Sequence, residues 1–232
     1  MKPIIIPFIF ARGGSKGLKK KNLLKFNKSS LLGNAILQAK KVKYAKEVYV
    51  STDSLKIKNE ALKYKAQVPF IRPKHLSTDS VAEIYAWRHA INFLNKKLNI
   101  YPDYIVSVPT TSPLRKVSDI NKCLALAIKK KLDVVFSITE SAKNPFFNML
   151  IERGKKKQLI LKKNKKITRR QDAPKCYDMT TVCYVFKPNY IKKNFNLFAG
   201  KVGYVKVPKE RAIDIDDKWD YKIATALSQH KV

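Results

Sequence analysis

Short apolar runs alternate with amphipathic segments along most of the chain, and this alternation limits the folds open to it. Apolar runs of strand length are typical of strands buried on both faces of a parallel sheet. They lie at residues 3–10, 47–52, 68–71, 103–108 and 133–139. Segments with helical spacing of apolar residues separate them, at 31–42, 54–66, 80–98 and 117–130, the last with Ser118 as the expected N-cap. The pattern predicts an α/β fold with a doubly wound, mostly parallel sheet.

The alternation breaks between about residues 140 and 179. Short apolar pieces lie between basic turns at 152–175, which favours a hairpin or an excursion from the sheet over another βαβ unit. Strands are predicted again at 180–186 and 201–207, and a closing helix at 216–231. No internal repeat or low-complexity linker interrupts the chain, so we expect a single domain over residues 1–232 with an inserted arm.

The chain carries 49 lysine and arginine residues against 17 acidic ones, a formal net charge of +32. Taken alone, this charge suggests a polyanionic partner such as nucleic acid or an anionic membrane. Only 8 of the basic residues are arginine, however, and the lysines are spread along the chain rather than clustered. Nucleic-acid readout usually depends on the bidentate contacts of arginine. The composition therefore favours a general lysine bias, with a basic nucleic-acid-binding protein as the less favoured alternative.

Cysteine content and the N-terminal segment bear on the cellular compartment. Cys123, Cys176 and Cys183 are too few and too widely spaced for a zinc site or a disulfide framework, and they fit a reduced cytosol. The N-terminal apolar run is too short for a membrane span, and the basic charge after it is in the wrong order for a signal peptide. We expect a cytoplasmic protein without a membrane partner.

A glycine-rich, basic loop follows the first predicted strand, in the sequence ARGGSKGLKKKN (11–22). Gly13, Gly14 and Gly17 are three of only seven glycines, and glycine lets backbone N–H groups approach an anion closely. The basic side chains of the loop could neutralise several phosphates together. The spacing matches neither a Walker loop nor the dinucleotide G-x-G-x-x-G fingerprint. The loop predicts a phosphate site, with a plain glycine turn in a basic protein as the alternative.

Asp214 and Asp216 place two carboxylates on one side of an extended segment, since side chains two residues apart share a face. Two carboxylates together with substrate phosphates and water are the ligands that Mg²⁺ prefers. The alternative is an N-cap and first-turn cluster that stabilises the last helix. We expect Mg²⁺ at this pair if the glycine-rich loop binds a triphosphate.

Two further segments carry polar side chains after predicted strands, where ligands bind in open α/β sheets. VPTTSPLR (108–115) has two prolines that frame Thr110, Thr111 and Ser112 and ends in Arg115. This stiff, hydroxyl-rich turn suits a polyhydroxylated or carboxylated ligand, although a rigid connection between elements is the alternative. Arg72 could recognise a base or a phosphate, and an ordinary surface ion pair is equally consistent with its position.

Taken together, the segments ARGGSKGLKKKN, VSTD, RPKHLSTD, TSPLR, RRQDAP and DIDD resemble the acylneuraminate cytidylyltransferases, which are the CMP-sialic acid synthetases and their bacterial relatives. The motifs occur in the family's order from residue 4 to about residue 221. The similar 3-deoxy-octulosonate cytidylyltransferases generally lack this glycine-rich first loop. The resemblance implies a three-layer α/β/α nucleotidyltransferase fold of Rossmann-like type. It also implies a homodimer, with the arm near residues 143–168 exchanged across the interface.

The resemblance also implies roles for individual residues. Arg12, Ser15 and Lys21 would hold the triphosphate of CTP, with Gly13, Gly14 and, more weakly, Lys16 of the same loop. Asn22, Arg72 and the backbone near Val81 would hold the cytidine. Asp214 and Asp216 would bind Mg²⁺, and Arg12, Lys21 and Asp216 would carry the catalysis. Thr111, Ser112, Arg115, Arg170 and Gln171 would face a sugar acid.

Two departures from the sialic acid members bear on the sugar. Pro109-Thr110 stands where those enzymes usually have Gln-Pro before TSPLR, and YDMTTVCYVF (177–186) replaces their NGAIY-like segment. Both changes are more similar to the branch that acts on legionaminic and related nonulosonic acids. The implied reaction joins CMP from CTP to the anomeric hydroxyl of such an acid and releases pyrophosphate. A nucleotidyltransferase of other base or sugar specificity, for example for 3-deoxy-octulosonate, is the alternative.

Overall fold

The computed structural model describes residues 2–15, 17–161 and 169–229, with the backbone but not the side chain of Arg170. The strands of these residues are β1 (Ile5–Phe10), β2 (Lys25–Phe26), β3 (Ser29–Ser30), β4 (Tyr49–Ser51), β5 (Tyr104–Ser107), β6 (Val134–Glu140), β7 (Leu150–Arg153), β8 (Lys156–Leu159), β9 (Tyr177–Phe186) and β10 (Val202–Lys206). The α-helices are α1 (Leu31–Ala39), α2 (Leu55–Lys63), α3 (Glu83–Lys97), α4 (Val117–Lys130), α5 (Pro188–Lys193) and α6 (Lys218–Gln229).

Six of the strands form one central sheet in the order β10-β6-β9-β5-β1-β4. β1 is parallel to both β4 and β5, and β6 is parallel to β10. β9 lies between β5 and β6 and is antiparallel to both. The mostly parallel sheet predicted from the sequence is therefore confirmed, with one antiparallel strand at its centre.

The two faces of the sheet carry separate hydrophobic clusters, because successive side chains of a strand point to opposite faces. Ile5 and Ile9 of β1 belong to the cluster that packs against α1, α2 and α4. Ile6 and Phe8 of the same strand belong to the cluster that packs against α3 and α5. Strands covered on both faces are almost continuously apolar, which is why the short apolar runs predict them. The arrangement confirms the three-layer α/β/α fold.

Two local predictions are wrong. Residues 68–71 form no strand and make only an isolated bridge from Ile71 to Thr52, since the segment contains Pro69, which has no N–H to donate. Ser118 is not an N-cap, because α4 begins one residue earlier at Val117. The Asp119 carboxylate accepts a hydrogen bond from the Lys116 N–H instead, at 3.0 Å. The short helix α5 and the β2–β3 hairpin have no counterpart among the predicted elements.

β7 and β8 form an antiparallel hairpin that stands outside the central sheet. This confirms the predicted excursion for the part that the structure describes, while residues 162–168 lie outside it. Apolar side chains on the hairpin are exposed, including Leu150 at 62% and Ile151 at 40%. No helix of the described residues is long and apolar enough to cross a membrane.

The carboxyl ends of β1, β4 and β5 meet at one edge of the sheet, and backbone hydrogen bonds hold the following loops together there. The Ala11 N–H donates to the Ser51 carbonyl at 3.0 Å, and the Arg72 N–H donates to the Thr52 carbonyl at 2.7 Å. The Val108 N–H donates to the Phe8 carbonyl at 2.9 Å. Because β9 is antiparallel, its first half lies at this same edge. The predicted ligand segments therefore converge, as the rule for open α/β sheets requires.

Candidate active site

A cleft of about 530 Å³ opens at this edge of the sheet. Its phosphate-loop wall comprises Arg12, Ser15, Gly17, Lys21 and Asn22, together with Asp214 and Asp216. A second wall comes from residues 72–86 and includes Arg72, Ser77, Asp79, Val81, Glu83 and Ala86. A third, the hydroxyl wall, is formed by Thr110, Thr111, Thr181 and Tyr184. The structure thus brings the two predicted metal residues and most of the predicted phosphate and nucleoside residues around one space.

Hydrogen bonds across the base of the loop hold the phosphate-loop wall in place. The Gly13 N–H donates to the Asp53 carboxylate at 2.8 Å. The amide of the buried Asn22 donates to the Arg12 carbonyl at 2.9 Å and accepts from the Thr110 hydroxyl at 2.6 Å. Asn22 therefore joins the loop to the hydroxyl wall. Gly13 and Gly14 are not among the residues that line the cleft, and the predicted contact Lys16 lies outside the described residues.

The aspartate segment 214–216 lies against the loop. Lys21 Nζ donates to the Ile215 carbonyl at 2.7 Å and to Asp216 Oδ1 at 3.1 Å. The Ile215 N–H donates to the Thr111 carbonyl at 2.8 Å, and the Ile215 side chain is buried. Contacts from Lys21 and from Thr111 therefore fix the segment, and its two carboxylates lie on either side of the buried Ile215 in the chain.

Asp217, and not Asp214 or Asp216, caps the last helix, α6. The Asp217 carboxylate accepts hydrogen bonds from the Trp219 N–H at 2.7 Å and from the Asp220 N–H at 3.0 Å, as an N-cap does. Asp220 in turn accepts from the Asp216 N–H at 2.9 Å. The side chains of Asp214 and Asp216 are therefore not needed as caps of α6 and remain at the cleft.

The donor set at the cleft fits Mg²⁺. Asp214 Oδ1 is buried and has no hydrogen-bond partner in the described structure, an arrangement that costs free energy unless a ligand completes it. The Asp216 side chain is 77% exposed, and its ion pair with Lys21 leaves oxygen lone pairs free. No group of three or more His, Cys, Asp or Glu side chains suited to a metal forms among the described residues. Mg²⁺ typically takes one or two carboxylates and completes its shell with phosphates and water, so the pair is sufficient.

Arg12 and Arg72 occupy different environments in the cleft. Arg12 forms an ion pair with Asp79 across the mouth of the cleft, and both side chains are 37% exposed. Arg72 is only 4% exposed, and its Nε donates to the Ser77 hydroxyl at 2.9 Å. Burial lowers the pKa of the Arg72 guanidinium, and the carboxylates of Asp53 and Glu83 act against that effect. Arg72 is thus an internal cation and not the ordinary surface ion pair considered above.

The structure does not bring the predicted sugar residues into one place. Thr111 lines the cleft, whereas the buried Ser112 hydroxyl pairs with the Thr181 hydroxyl at 2.7 Å beneath the wall. The buried guanidinium of Arg115 donates to the carbonyls of Val182, at 2.6 Å, and Pro109. Arg115 therefore supports the turn from below. Arg115 does not line the cleft, so the structure does not place its guanidinium where a sugar in the cleft could contact it.

Gln171 lines a separate cavity of about 390 Å³ at the base of the hairpin, together with Lys143 and Asn144. The side chain of Arg170 lies outside the described residues. The predicted roles of Gln171 and Arg170 toward the sugar remain predictions.

Thr181, Tyr184 and Glu83 line the cleft and have no counterpart among the predicted site residues. Thr181 and Tyr184 lie within a predicted strand, and Glu83 lies within a predicted helix, so no local motif marks them. Burial raises the pKa of the Tyr184 hydroxyl to about 12, with smaller contributions from Glu83 and Asp214. Desolvation raises the pKa of the Glu83 carboxyl, and the Arg72 guanidinium acts against that effect. Sequence patterns did not identify these residues as site residues because they lie inside a strand and a helix and not in polar turns.

The comparison with known proteins agrees with this geometry. The profile of the family described as Cytidylyltransferase matches residues 4–231. The chain belongs to the cytidylyltransferase family. The protein is therefore an enzyme, a nucleotidyltransferase.

Relatives and solved structures cover nearly the whole chain. Post-translational flagellin modification protein B of Campylobacter coli is 34% identical over 228 residues, covering 98% of this chain and 96% of that protein. CMP-N,N'-diacetyllegionaminic acid synthase of Campylobacter jejuni is 34% identical over 223 residues, covering 96% and 94%. The structure of CMP:2-keto-3-deoxy-manno-octonic acid synthetase complexed with CTP superposes with a TM-score of 0.74, covering 97% and 98% at 12% identity. At that identity, the superposition shows the cytidylyltransferase fold alone.

Proposed function

We propose that this cytidylyltransferase transfers CMP from CTP to the anomeric hydroxyl of a nonulosonic acid of the legionaminic type. The observation that carries the proposal is the buried Asp214 oxygen, which has no hydrogen-bond partner among the described residues and shares one cleft with Lys21 and the glycine-rich loop. A carboxylate pair facing a basic phosphate loop is suited to a nucleoside triphosphate held through Mg²⁺. The similarity to a CMP-N,N'-diacetyllegionaminic acid synthase supports the choice of sugar acid.

In the proposed reaction the anomeric oxygen of the sugar forms a bond to the α-phosphorus of CTP. The bond from that phosphorus to the bridging oxygen of the β-phosphate breaks, pyrophosphate leaves, and the hydroxyl proton is released. Such chemistry depends mostly on positioning and on charge stabilisation. Arg12 and Lys21 neutralise the charge that develops on pyrophosphate, and Arg72 and the backbone near Val81 hold the cytidine. Thr111 and the neighbouring hydroxyls of the wall face the sugar acid.

Asp214 and Asp216 would hold Mg²⁺ in this scheme. When bound, Mg²⁺ supplies positive charge that polarises the α-phosphate and favours attack at phosphorus. The role of the chain is to present the two carboxylates at a fixed position, through the buried Ile215 and the Lys21 contacts. The Lys21–Asp216 pair also keeps the loop and the aspartate segment together before the substrates bind.

Pyrophosphate release tests the proposal directly. Each of CTP, UTP and ATP is combined with N,N'-diacetyllegionaminic, pseudaminic, N-acetylneuraminic and 3-deoxy-octulosonic acids, with Mg²⁺ present. We expect release with CTP and a nonulosonic acid, and a product whose mass is that of the CMP-sugar. Turnover only with 3-deoxy-octulosonic acid, or only with another nucleotide, would support the alternative specificity. Absence of release with every pair would overturn the proposal.

Gly17 gives a second prediction, because it lies against the aspartate segment. A Cβ added at Gly17 would lie 2.4 Å from the Asp216 carbonyl oxygen, whereas one added at Gly14 would meet nothing within 4 Å. Since the Asp216 backbone cannot yield without moving its carboxylate, we expect Gly17→Ala to lower kcat/KM about 10- to 100-fold. Gly14 does not line the cleft, in contrast to the phosphate role that the resemblance implies for it, so Gly14→Ala is the matched control and should stay within about threefold of the wild-type value. Equal effects of the two substitutions on pyrophosphate release would contradict this placement of the loop.

We also propose that the enzyme is a homodimer and acts in the cytoplasm on CTP, with no nucleic-acid partner. The exposed apolar residues of the β7–β8 hairpin support a dimer, since apolar side chains exposed on one chain are often covered at an interface between copies. Sedimentation should give twice the chain mass of 26.6 kDa, and a single-chain mass would contradict the dimer.

Cell fractionation tests the proposed cytoplasmic compartment. A gel shift with DNA and RNA at physiological salt tests the absence of nucleic-acid binding.

A further inference from the structure

A buried ion pair holds the chain three residues before Asp214. Arg211 Nε donates to Asp119 Oδ2, and Arg211 Nη2 donates to Asp119 Oδ1, each at 2.9 Å. A guanidinium and a carboxylate that meet through two parallel hydrogen bonds form a strong and directional contact. The Asp119 side chain is only 1% exposed and that of Arg211 18%, so water competes little with the pair. The pair therefore fixes Arg211 in one position.

The carboxylate of this pair is itself held in place. Asp119 lies in the first turn of α4, and its Oδ2 also accepts a hydrogen bond from the Lys116 N–H at 3.0 Å. Lys116 directly follows the hydroxyl-rich turn 109–115, and the Arg115 carbonyl of that turn accepts a hydrogen bond from the Gln38 amide of α1 at 3.0 Å. The pair therefore attaches the chain to a rigid unit, which consists of the turn and the start of α4.

The aspartate segment has a second attachment to the same unit. The Ile215 N–H donates to the Thr111 carbonyl at 2.8 Å, and the Ile215 side chain is buried. Asp214 lies on the short span between Arg211 and Ile215. A span of three residues between two fixed ends has few backbone conformations open to it. The place of the Asp214 carboxylate therefore depends on both attachments.

We propose that Arg211 is a positioning residue for the metal of the reaction, and that its ion pair with Asp119 sets the place of the Asp214 carboxylate at the cleft. Arg211 does not line the cleft, so it acts through the chain and not on a substrate. The inference rests on the proposed function, in which Asp214 and Asp216 hold Mg²⁺. Groups that orient metal ligands from outside the coordination shell commonly set metal affinity as well.

A role in stability alone predicts a different result, and α4 offers a control for it. At the far end of this helix the buried Tyr104 hydroxyl donates to the carbonyls of Ala127 and Leu132, at 2.9 and 3.2 Å. Tyr104 is the first residue of β5, so it lies at the edge of the sheet opposite the cleft. Its removal should lower stability and not metal binding, whereas loss of the Arg211 contact should lower metal binding.

The experiment measures metal binding without turnover. Mn²⁺ takes the same oxygen ligands as Mg²⁺, so Mn²⁺ alone is titrated into the full chain and the free ion is measured by electron paramagnetic resonance. Arg211→Gln, Asp119→Asn and the double variant are compared with wild type. Tyr104→Phe is the control for stability, which urea denaturation follows. Lys209→Gln removes one charge from an exposed side chain of the same segment and is the control for charge.

We expect Arg211→Gln and Asp119→Asn each to weaken Mn²⁺ binding about 3- to 10-fold, because they act on the ligand through the backbone and not by direct contact. The double variant should bind Mn²⁺ as well as either single variant does, since all three remove the same contact. The Mg²⁺ concentration for half-maximal pyrophosphate release should rise by the same factor, and excess Mg²⁺ should restore the rate. Tyr104→Phe and Lys209→Gln should keep the wild-type Mn²⁺ affinity.

Two results would overturn the inference. One is an unchanged Mn²⁺ affinity and Mg²⁺ requirement in both Arg211→Gln and Asp119→Asn, whatever their activity. The other is an equal loss of Mn²⁺ affinity in Tyr104→Phe, since lowered stability would then explain the effect.

Arg211→Lys decides the question if Arg211→Gln fails to fold. Lysine keeps the charge but not the two-pronged contact, so the Mn²⁺ affinity should still fall about threefold, and a wild-type affinity would contradict the positioning role. A wild-type protein that forms no CMP-sugar would refute the proposed function itself. Variants that equal an active wild type in metal binding would refute only the role of Arg211.

Discussion

Replacing Asp214 with asparagine is expected to lower kcat/KM for CMP-sugar formation by about 10³-fold or more. Asp214 Oδ1 is buried at the cleft and lacks a partner among the described residues, so its lone pairs are available to a bound cation. The amide that replaces it has nearly the same shape but removes the negative charge that Mg²⁺ requires. The loss should follow the chemistry and not the fold, because Ile215 and its backbone bond to Thr111 are untouched.

The matched control is Asp217→Asn, three residues along. Asp217 caps α6 through two N–H groups and is not among the residues that line the cleft. It should keep activity within about threefold while costing at most about 1 kcal/mol of unfolding free energy. Activity is followed by pyrophosphate release over a range of Mg²⁺ concentrations, and stability by urea denaturation. An Asp214→Asn enzyme with activity near the wild-type value would remove the metal assignment.

The layers of the fold were predictable because strands that are buried on both faces of the sheet are apolar at nearly every position. β1 and β5 are short and almost wholly apolar, as strands buried on both faces of a sheet between helices are. The prediction was wrong where an apolar segment of strand length does not form a strand. Residues 68–71 look like a strand by composition, but the backbone cannot complete a ladder through Pro69.

The candidate site was predictable where its residues stand in turns after strands. The glycine-rich loop and the aspartate segment are distant in sequence, yet both lie beyond the carboxyl edge of the sheet, and Lys21 joins them. The orientation of a side chain in a turn was not predictable in the same way. Arg115 looks like a ligand contact, but the carbonyls of Val182 and Pro109 take up its guanidinium beneath the wall.

Glu83 and Tyr184 illustrate a different limit. Each belongs to a regular element whose pattern describes its packing, and only the position of α3 and β9 beside the cleft shows that these side chains line it. The antiparallel direction of β9 is what brings Thr181 and Tyr184 to the edge where the parallel strands end. A sequence pattern records the period of a strand but not its direction, so these residues required the structure.

The second large effect is expected at Lys21, the residue that joins the phosphate loop to the aspartate segment. Its side chain is 16% exposed, and Nζ donates to both the Ile215 carbonyl and Asp216 Oδ1. Removal of one preorganised charge of this kind costs about 2–4 kcal/mol of transition-state stabilisation, which corresponds to about 30- to 900-fold in kcat. Lys21→Ala should therefore be slower by that factor in pyrophosphate release with saturating CTP and sugar acid. Lys19→Ala is the matched control and should stay within about twofold.

The way in which Lys21→Ala fails decides what the lysine does. If Nζ stabilises the leaving pyrophosphate, the loss falls on kcat, while the KM for CTP and the Mg²⁺ concentration for half-maximal rate change little. If Nζ serves mainly to hold Asp216, the loss appears instead as a higher Mg²⁺ requirement, and excess Mg²⁺ restores much of the rate. Near-normal kcat at every Mg²⁺ concentration would contradict both roles. Lys21 contacts Ile215 and Asp216, so its charge lies in the cleft and also fixes the aspartate segment. We therefore expect the loss of kcat to dominate, with a smaller rise in the Mg²⁺ requirement.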